Sequence, residues 1–111
     1  MDISFASKKL AKLCNSQKEM RGKLGARGAE KLAQRLAELA AADTLEDMRH
    51  LPNARCHELT ADRKGQLAVD LVHPKRLIFE PDHDPVPTKE DSGLDWSAVT
   101  QILIVAIVDY H

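Results

Sequence analysis

The sequence predicts an α+β fold, with two to three N-terminal helices packed on one face of a mostly antiparallel, twisted sheet of four to five strands. Apolar side chains recur at helical spacing before Pro52 and at a spacing of two after it. The run from Gln101 to Val108 is apolar on both faces and β-branched, as befits a strand inside a sheet. Because the helical and strand patterns come in blocks rather than alternating, the helices are expected on one side of the sheet. At 111 residues the chain reads as one domain, 1–111.

Taken in order, Asp2 to Phe5 alternates polar and apolar residues, a short first strand with Ile3 and Phe5 on one side. Ser7 suits a helix cap, and Leu10, Leu13 and Cys14 then recur among Lys8, Lys9, Lys12 and Lys18, which makes an amphipathic helix with a basic outer face. Gly22, Gly25 and Gly28 are expected to interrupt it. From Ala29 to Ala42 strong helix formers dominate, with Leu32, Leu36 and Leu39 on a face opposite Lys31, Arg35 and Glu38. Thr44, with Asp47 three positions on, resembles a capping pair for a one-turn helix through Met48 that Pro52 ends.

Beyond Pro52, Arg55, His57 and Leu59 alternate with Cys56 and Glu58, and Leu67, Val69 and Leu71 with Gln66, Ala68 and Asp70. The intervening Asp62-Arg63-Lys64-Gly65 is turn chemistry, so the two strands form a hairpin. His73-Pro74-Lys75 makes a second turn into Arg76–Glu80, completing a three-stranded meander. Residues 81–97, with Pro81, Pro85, Pro87, Gly93 and acidic Asp82, Asp84, Glu90, Asp91 and Asp95, read as a Pro-rich acidic loop. The last strand carries Asp109-Tyr110-His111 at its end.

Composition narrows the class. With 43% hydrophobic and 30% charged residues the chain is neither disordered nor membrane-embedded. Met-Asp-Ile-Ser-Phe lacks the basic and apolar regions of a signal peptide, which predicts a cytoplasmic protein with no membrane partner. Cys14 and Cys56 form no Cys-x-x-Cys pair, and the histidines His50, His57, His73, His83 and His111 show no ligand spacing, so neither a disulfide framework nor a metal or other cofactor is expected. His83, between Asp82 and Asp84, offers at most adventitious metal binding.

The net charge of −1 conceals strong polarisation. Residues 1–35 hold nine Lys/Arg against three Asp/Glu, and residues 77–111 one against seven. Such a chain presents a basic face to a polyanion or an acidic partner, unless its two charged ends are simply solvated.

The chemistry-bearing residues lie on the predicted strands. Arg63, Lys64, Lys75 and Arg76 stand at strand ends, where pairing would gather them into a phosphate-binding cluster. His57, Asp109, Tyr110 and His111 add two imidazoles, a carboxylate and a phenol. Metal-free RNA cleavage draws on this inventory: a base for the 2′-OH, cations for the developing phosphorane charge, and an acid for the 5′-oxygen.

The stretch Arg55-Cys56-His57-Glu58-Leu59-Thr60-Ala61-Asp62-Arg63-Lys64-Gly65-Gln66, then Arg76-Leu77-Ile78-Phe79 and Ile107-Val108-Asp109-Tyr110-His111, resembles the RelE/ParE toxin superfamily. Within it, the likeness is to the HigB-like "killer protein" branch of type II toxin–antitoxin systems. The resemblance implies a RelE-like fold and an endoribonuclease that enters the ribosomal A site and cuts mRNA. It places His57, Asp109, Tyr110 and His111 at the cleavage centre and Arg63 and Arg76 on phosphate. It further implies a cognate helix-turn-helix antitoxin, through which operator DNA is contacted indirectly. Thr60 stands where relatives often carry a basic residue, and the 81–97 loop lengthens a usually short hairpin.

Two other readings fit the residues. A non-catalytic member of the superfamily, such as an inhibitor of DNA gyrase, acts by protein contact and needs neither His57 nor His111. A plain interaction module uses the basic helices, so that Lys12, Lys18 or Arg35 matters more than His57.

Overall fold

A computed structural model describes residues 1–110; His111, an expected site residue, lies outside the described residues. Strand β1 spans Asp2–Phe5. The Ser7 hydroxyl then accepts the Leu10 N–H at 3.1 Å and starts helix α1, Lys8–Cys14. Ser16 caps a second helix, α2, Gln17–Ala41, in the same way through the Glu19 N–H, so Lys18 belongs to α2 rather than to the first helix. Of the three glycines expected to interrupt the helical region, only Gly25 does. Its φ of +76° and ψ of 174° lie where a side chain is not tolerated, and they kink α2. Gly22 and Gly28 stay helical.

The last turn of α2 carries no basic side chain. The Met1 ammonium takes that place, donating to the carbonyls of Leu39 and Ala40 at 3.1 and 2.9 Å and to that of Ala42. Two 3₁₀ helices follow, Leu45–His50 and Pro52–Ala54. The Thr44 side chain makes no capping bond; instead the Asp47 carboxylate accepts the Asp43 N–H at 2.9 Å.

The sheet is five-stranded, in the order β1-β5-β4-β3-β2, with β2 at His57–Glu58, β3 at Leu67–Asp70, β4 at Lys75–Pro81 and β5 at Gln101–Asp109. Only the β1/β5 pair is parallel. The meander and its turns follow the expectation, with Gly65 at φ +93° closing the first hairpin. Arg55 does not. It has left-handed φ/ψ of 49° and 48° and precedes the strand, which shortens β2 to two residues. The β5 strand is flanked on both sides only over Gln101–Ile104, where β1 runs beside it.

Partners across the strands share a face. Leu67, Val69, Leu77, Phe79, Ile102 and Ile104 point to the helices and are fully buried with Leu32, Leu39, Leu45 and Met48. Each such side chain contributes about 1.5–3 kcal/mol of hydrophobic stabilisation. Arg35 joins them. Only 3% exposed, it is not the outer-face residue that helical periodicity suggests. Its Nε donates to the Asp70 carbonyl at 2.7 Å, one terminal nitrogen to the Asn53 carbonyl at 2.9 Å, and the other to Glu38 Oε1 at 2.8 Å. One side chain thus ties α2 to the end of β3 and to the turn before β2.

The acidic excursion carries order of its own. Pro81 ends β4, Thr88 and Leu94 form a bridge, and Trp96 sits in a 3₁₀ turn, Trp96–Ala98, 5% exposed. The Trp96 indole N–H donates to Glu58 at 3.0 Å and Arg49 lies over the ring. His83 Nε2 accepts the Thr100 and Gln101 N–H groups at 3.1 and 3.3 Å, which ties the start of the loop to the start of β5. Among the described residues no helix is long and apolar enough to cross a membrane, and no group of three metal-ligating side chains occurs.

Candidate functional site

Register places the candidate residues. His57 is opposite Ala68, which is opposite Ile78, which is opposite Ala106; two residues along on the same face, Asp70, Arg76 and Val108 are in line. This face is turned away from the helices, and Tyr110 continues it beyond Val108. Lys75 and Asp109 pair on the other face, their side chains 2.7 Å apart. The strand alternation therefore separates Asp109 from the adjacent Tyr110.

His57 has a defined tautomer. Its Nδ1 lies 2.6 Å from the Arg55 carbonyl, and since a carbonyl only accepts, the proton is on Nδ1. In the neutral ring Nε2 then carries a lone pair, the form a general base requires. The left-handed backbone at Arg55 turns that carbonyl to the ring.

Arg76 is held between two partners. Its guanidinium lies 4.4 Å from the Tyr110 ring centroid and its Nε is 3.4 Å from Asp70 Oδ1. The Tyr110 N–H donates to the Pro74 carbonyl at 2.7 Å, which seats the ring against the β3–β4 turn. Arg55 approaches Asp70 Oδ2 at 3.6 Å from the opposite side. These groups line a cavity of about 210 Å³ with His73, Pro74 and Lys75.

The four cations expected to cluster do not. Arg63 and Lys64 belong to the turn before β3, and Lys75 and Arg76 follow β3, so the length of that strand separates the pairs, roughly 15 Å at strand rise. A meander puts successive turns at opposite ends of the sheet. Half-buried Arg63 donates to Gln66 Oε1 at 3.0 Å, whereas exposed Lys64 lines a separate groove against the acidic loop. His57 stands two strands from Arg76, about 12 Å by strand spacing, and about 20 Å from Tyr110. The structure thus brings together Arg76, Tyr110, Lys75 and Asp109 at one end, with His57 farther along the same face as Arg76.

Arg55 and Asp70 were not singled out by sequence. A signal existed for Asp70: it and Arg76 stand symmetrically about the His73-Pro74 turn, so any hairpin there sets opposite charges side by side. Cys56, next to His57, is no nucleophile. Burial pushes its thiol up to about 12, opposed by Arg49 and assisted by Glu58.

A larger groove of about 800 Å³ runs between α1, α2 and β5. Leu10, Leu13, Val105 and Ile107 form its apolar lining, and Lys9, Lys12, Lys18 and Lys23 its basic one.

No protein-family model and no curated protein matches the sequence. A solved structure, the YoeB/ParE toxin from Agrobacterium tumefaciens, matches over 100% of both chains, with a TM-score of 0.55 and 10% sequence identity. The shared property is the fold. Helices on one face of an open, mostly antiparallel sheet is an architecture this chain has in common with a structure whose sequence it scarcely shares.

Proposed function

We propose that this protein is the toxin of a type II toxin–antitoxin pair, of the HigB-like branch, and that it cuts mRNA on the ribosome. The observation that carries the reading is the sheet face turned from the helices. There a histidine with its Nε2 lone pair available shares a surface with an arginine stacked on a tyrosine. The toxin fold of the matched structure supports it.

In this scheme His57 Nε2 takes the 2′-OH proton, and the 2′-oxygen attacks the adjacent phosphorus. Arg76 stabilises the charge on the non-bridging oxygens, while Arg63, at the other end of β3, contacts a more distant phosphate of the RNA backbone. The bond to the 5′-oxygen breaks, leaving a 2′,3′-cyclic phosphate and a 5′-hydroxyl, with His111 supplying the proton to that oxygen. Tyr110 stacks on or orients a base, and Lys64, Lys75 and Asp109 tune the surrounding field. No metal or other cofactor enters the scheme. The protein acts in the cytoplasm as one domain, and a helix-turn-helix antitoxin neutralises it and carries it indirectly to operator DNA. The lysine-lined apolar groove suits an acidic protein partner.

A second reading, a superfamily member that acts by protein contact alone, for example on gyrase, is favoured by the span of about 20 Å between His57 and Tyr110. Controlled expression in a bacterial host separates the two. Growth arrest with new mRNA 5′ ends inside coding regions, both lost in His57→Ala, supports the nuclease. Arrest that persists in His57→Ala with intact mRNA supports the contact inhibitor.

A further inference from the structure

Three guanidinium groups converge on Asp70. The buried one, Arg35, takes its backbone carbonyl; the other two, Arg55 and Arg76, face its carboxylate from opposite sides at 3.6 and 3.4 Å. These two contacts are unlike the first. Oδ1 of Asp70 is shielded from solvent and makes no hydrogen bond among the described residues, although a carboxylate oxygen removed from water ordinarily accepts one or two. The two arginines are near enough for Coulomb attraction and are not engaged in the directional bonds that a settled bidentate pair forms.

Charge points the same way. Arg55 and Arg76 against Asp70 leave one positive charge, while neighbouring Lys75 is already neutralised by Asp109. The surplus matches a singly charged phosphodiester. Geometry adds a link to the base: the residue that sends its guanidinium to Asp70 is the one whose carbonyl fixes the His57 ring. Its left-handed backbone, uncommon for a residue with a side chain, is what allows both.

We propose that Asp70 is a stand-in for a phosphate group, holding Arg55 and Arg76 as an open fork that closes on an incoming phosphate oxyanion, and that Arg55 is a phosphate-contacting residue alongside Arg76. The idea deepens the nuclease reading, on which it rests for its natural ligand. Asp70 is a positioning residue: it keeps the two cations from repelling each other out of the 210 Å³ cavity until the ligand replaces it.

The test follows the side-chain Nε–H signals of Arg55 and Arg76 by two-dimensional NMR during titration with inorganic phosphate, and separately with a short 2′-O-methyl RNA that cannot be cleaved. Exposed Arg27 on α2 is the reference for unspecific anion effects. Arg55 and Arg76 are expected to shift together with one midpoint, and Asp70→Asn to lower that midpoint about three- to ten-fold by removing two competing ion pairs. RNA is expected to act at far lower concentration than free phosphate, with Arg55→Ala reducing the salt slope of RNA binding by about 0.7. Arg76 moving without Arg55, or Asp70→Asn weakening phosphate binding, overturns the fork. Because the wild-type titration needs no variant, misfolding of Asp70→Asn does not blunt it. If both arginines close on phosphate and mRNA is not cut, the fork stands and the nuclease reading falls.

Discussion

Replacing Arg35 by Met keeps much of the side-chain volume and deletes every polar contact of a residue that is 3% exposed. Two carbonyls, of Asp70 and Asn53, lose their donors, and Glu38, whose side chain is 20% exposed, loses its ion-pair partner. Each hydrogen bond from a charged donor is worth about 1.5–3 kcal/mol, and stripping one partner from a buried pair costs about 3–5 kcal/mol. Because Glu38 can turn to water, we take a net loss of about 4 kcal/mol. For a chain this size that lowers Tm by roughly 15 °C. Glu38→Gln is expected to cost about 1 kcal/mol, since it weakens one of the three contacts. Urea unfolding followed by the fluorescence of Trp96, the sole tryptophan, gives both numbers. A loss below about 1 kcal/mol for Arg35→Met would show a solvated surface charge and refute the clamp.

The glycines of α2 make opposite forecasts in the same assay. Gly22→Ala, helical with open space around its Cβ, gains about 0.5–1 kcal/mol. Gly25→Ala, at φ +76°, loses about 1–3 kcal/mol. Equal effects at the two sites contradict the kink. Alkaline stability tests the thiols. Burial raises Cys14 from the ordinary 9.0 to about 11 and Cys56 to about 12, so above pH 9 the unfolded chain sheds thiol protons that the folded chain keeps. Their contribution is fully present below that pH and falls as it rises, by at most about 1.4 kcal/mol per pH unit per thiol. The Cys14→Ala/Cys56→Ala variant is expected to lose stability less steeply between pH 9 and 11; identical slopes contradict the burial.

Much of this fold follows from local pattern. The change in apolar period at Pro52, the Ser7 cap and the turn residues Asp62-Arg63-Lys64-Gly65 act within a few residues, so the sequence displays them directly. What escapes it is decided by distant partners. Arg35 looks like a surface residue until β3 and the turn before β2 supply carbonyls for it, and Trp96 looks like loop until Glu58 and Arg49 meet it. Arg55 fits the alternation of a strand, yet its backbone is left-handed. The site shows the same division. Residue types on β2, β4 and β5 are legible one by one; that Arg63 and Arg76 end up at opposite ends of β3 is a property of the meander. Opposite charge across a turn, as at Asp70 and Arg76, is the local cue that would have revealed one more member.

The central claim is a ribosome-dependent mRNA nuclease whose base is His57. Its most direct test adds purified wild type, His57→Ala and Arg76→Ala to a reconstituted translation reaction and maps mRNA ends by primer extension, with and without ribosomes. The account expects cuts by wild type only when ribosomes are present, and losses of about 10²-fold or more in cutting for His57→Ala, with both variants folded by circular dichroism. Intact mRNA with folded wild type on translating ribosomes, or undiminished cutting by His57→Ala, would contradict it.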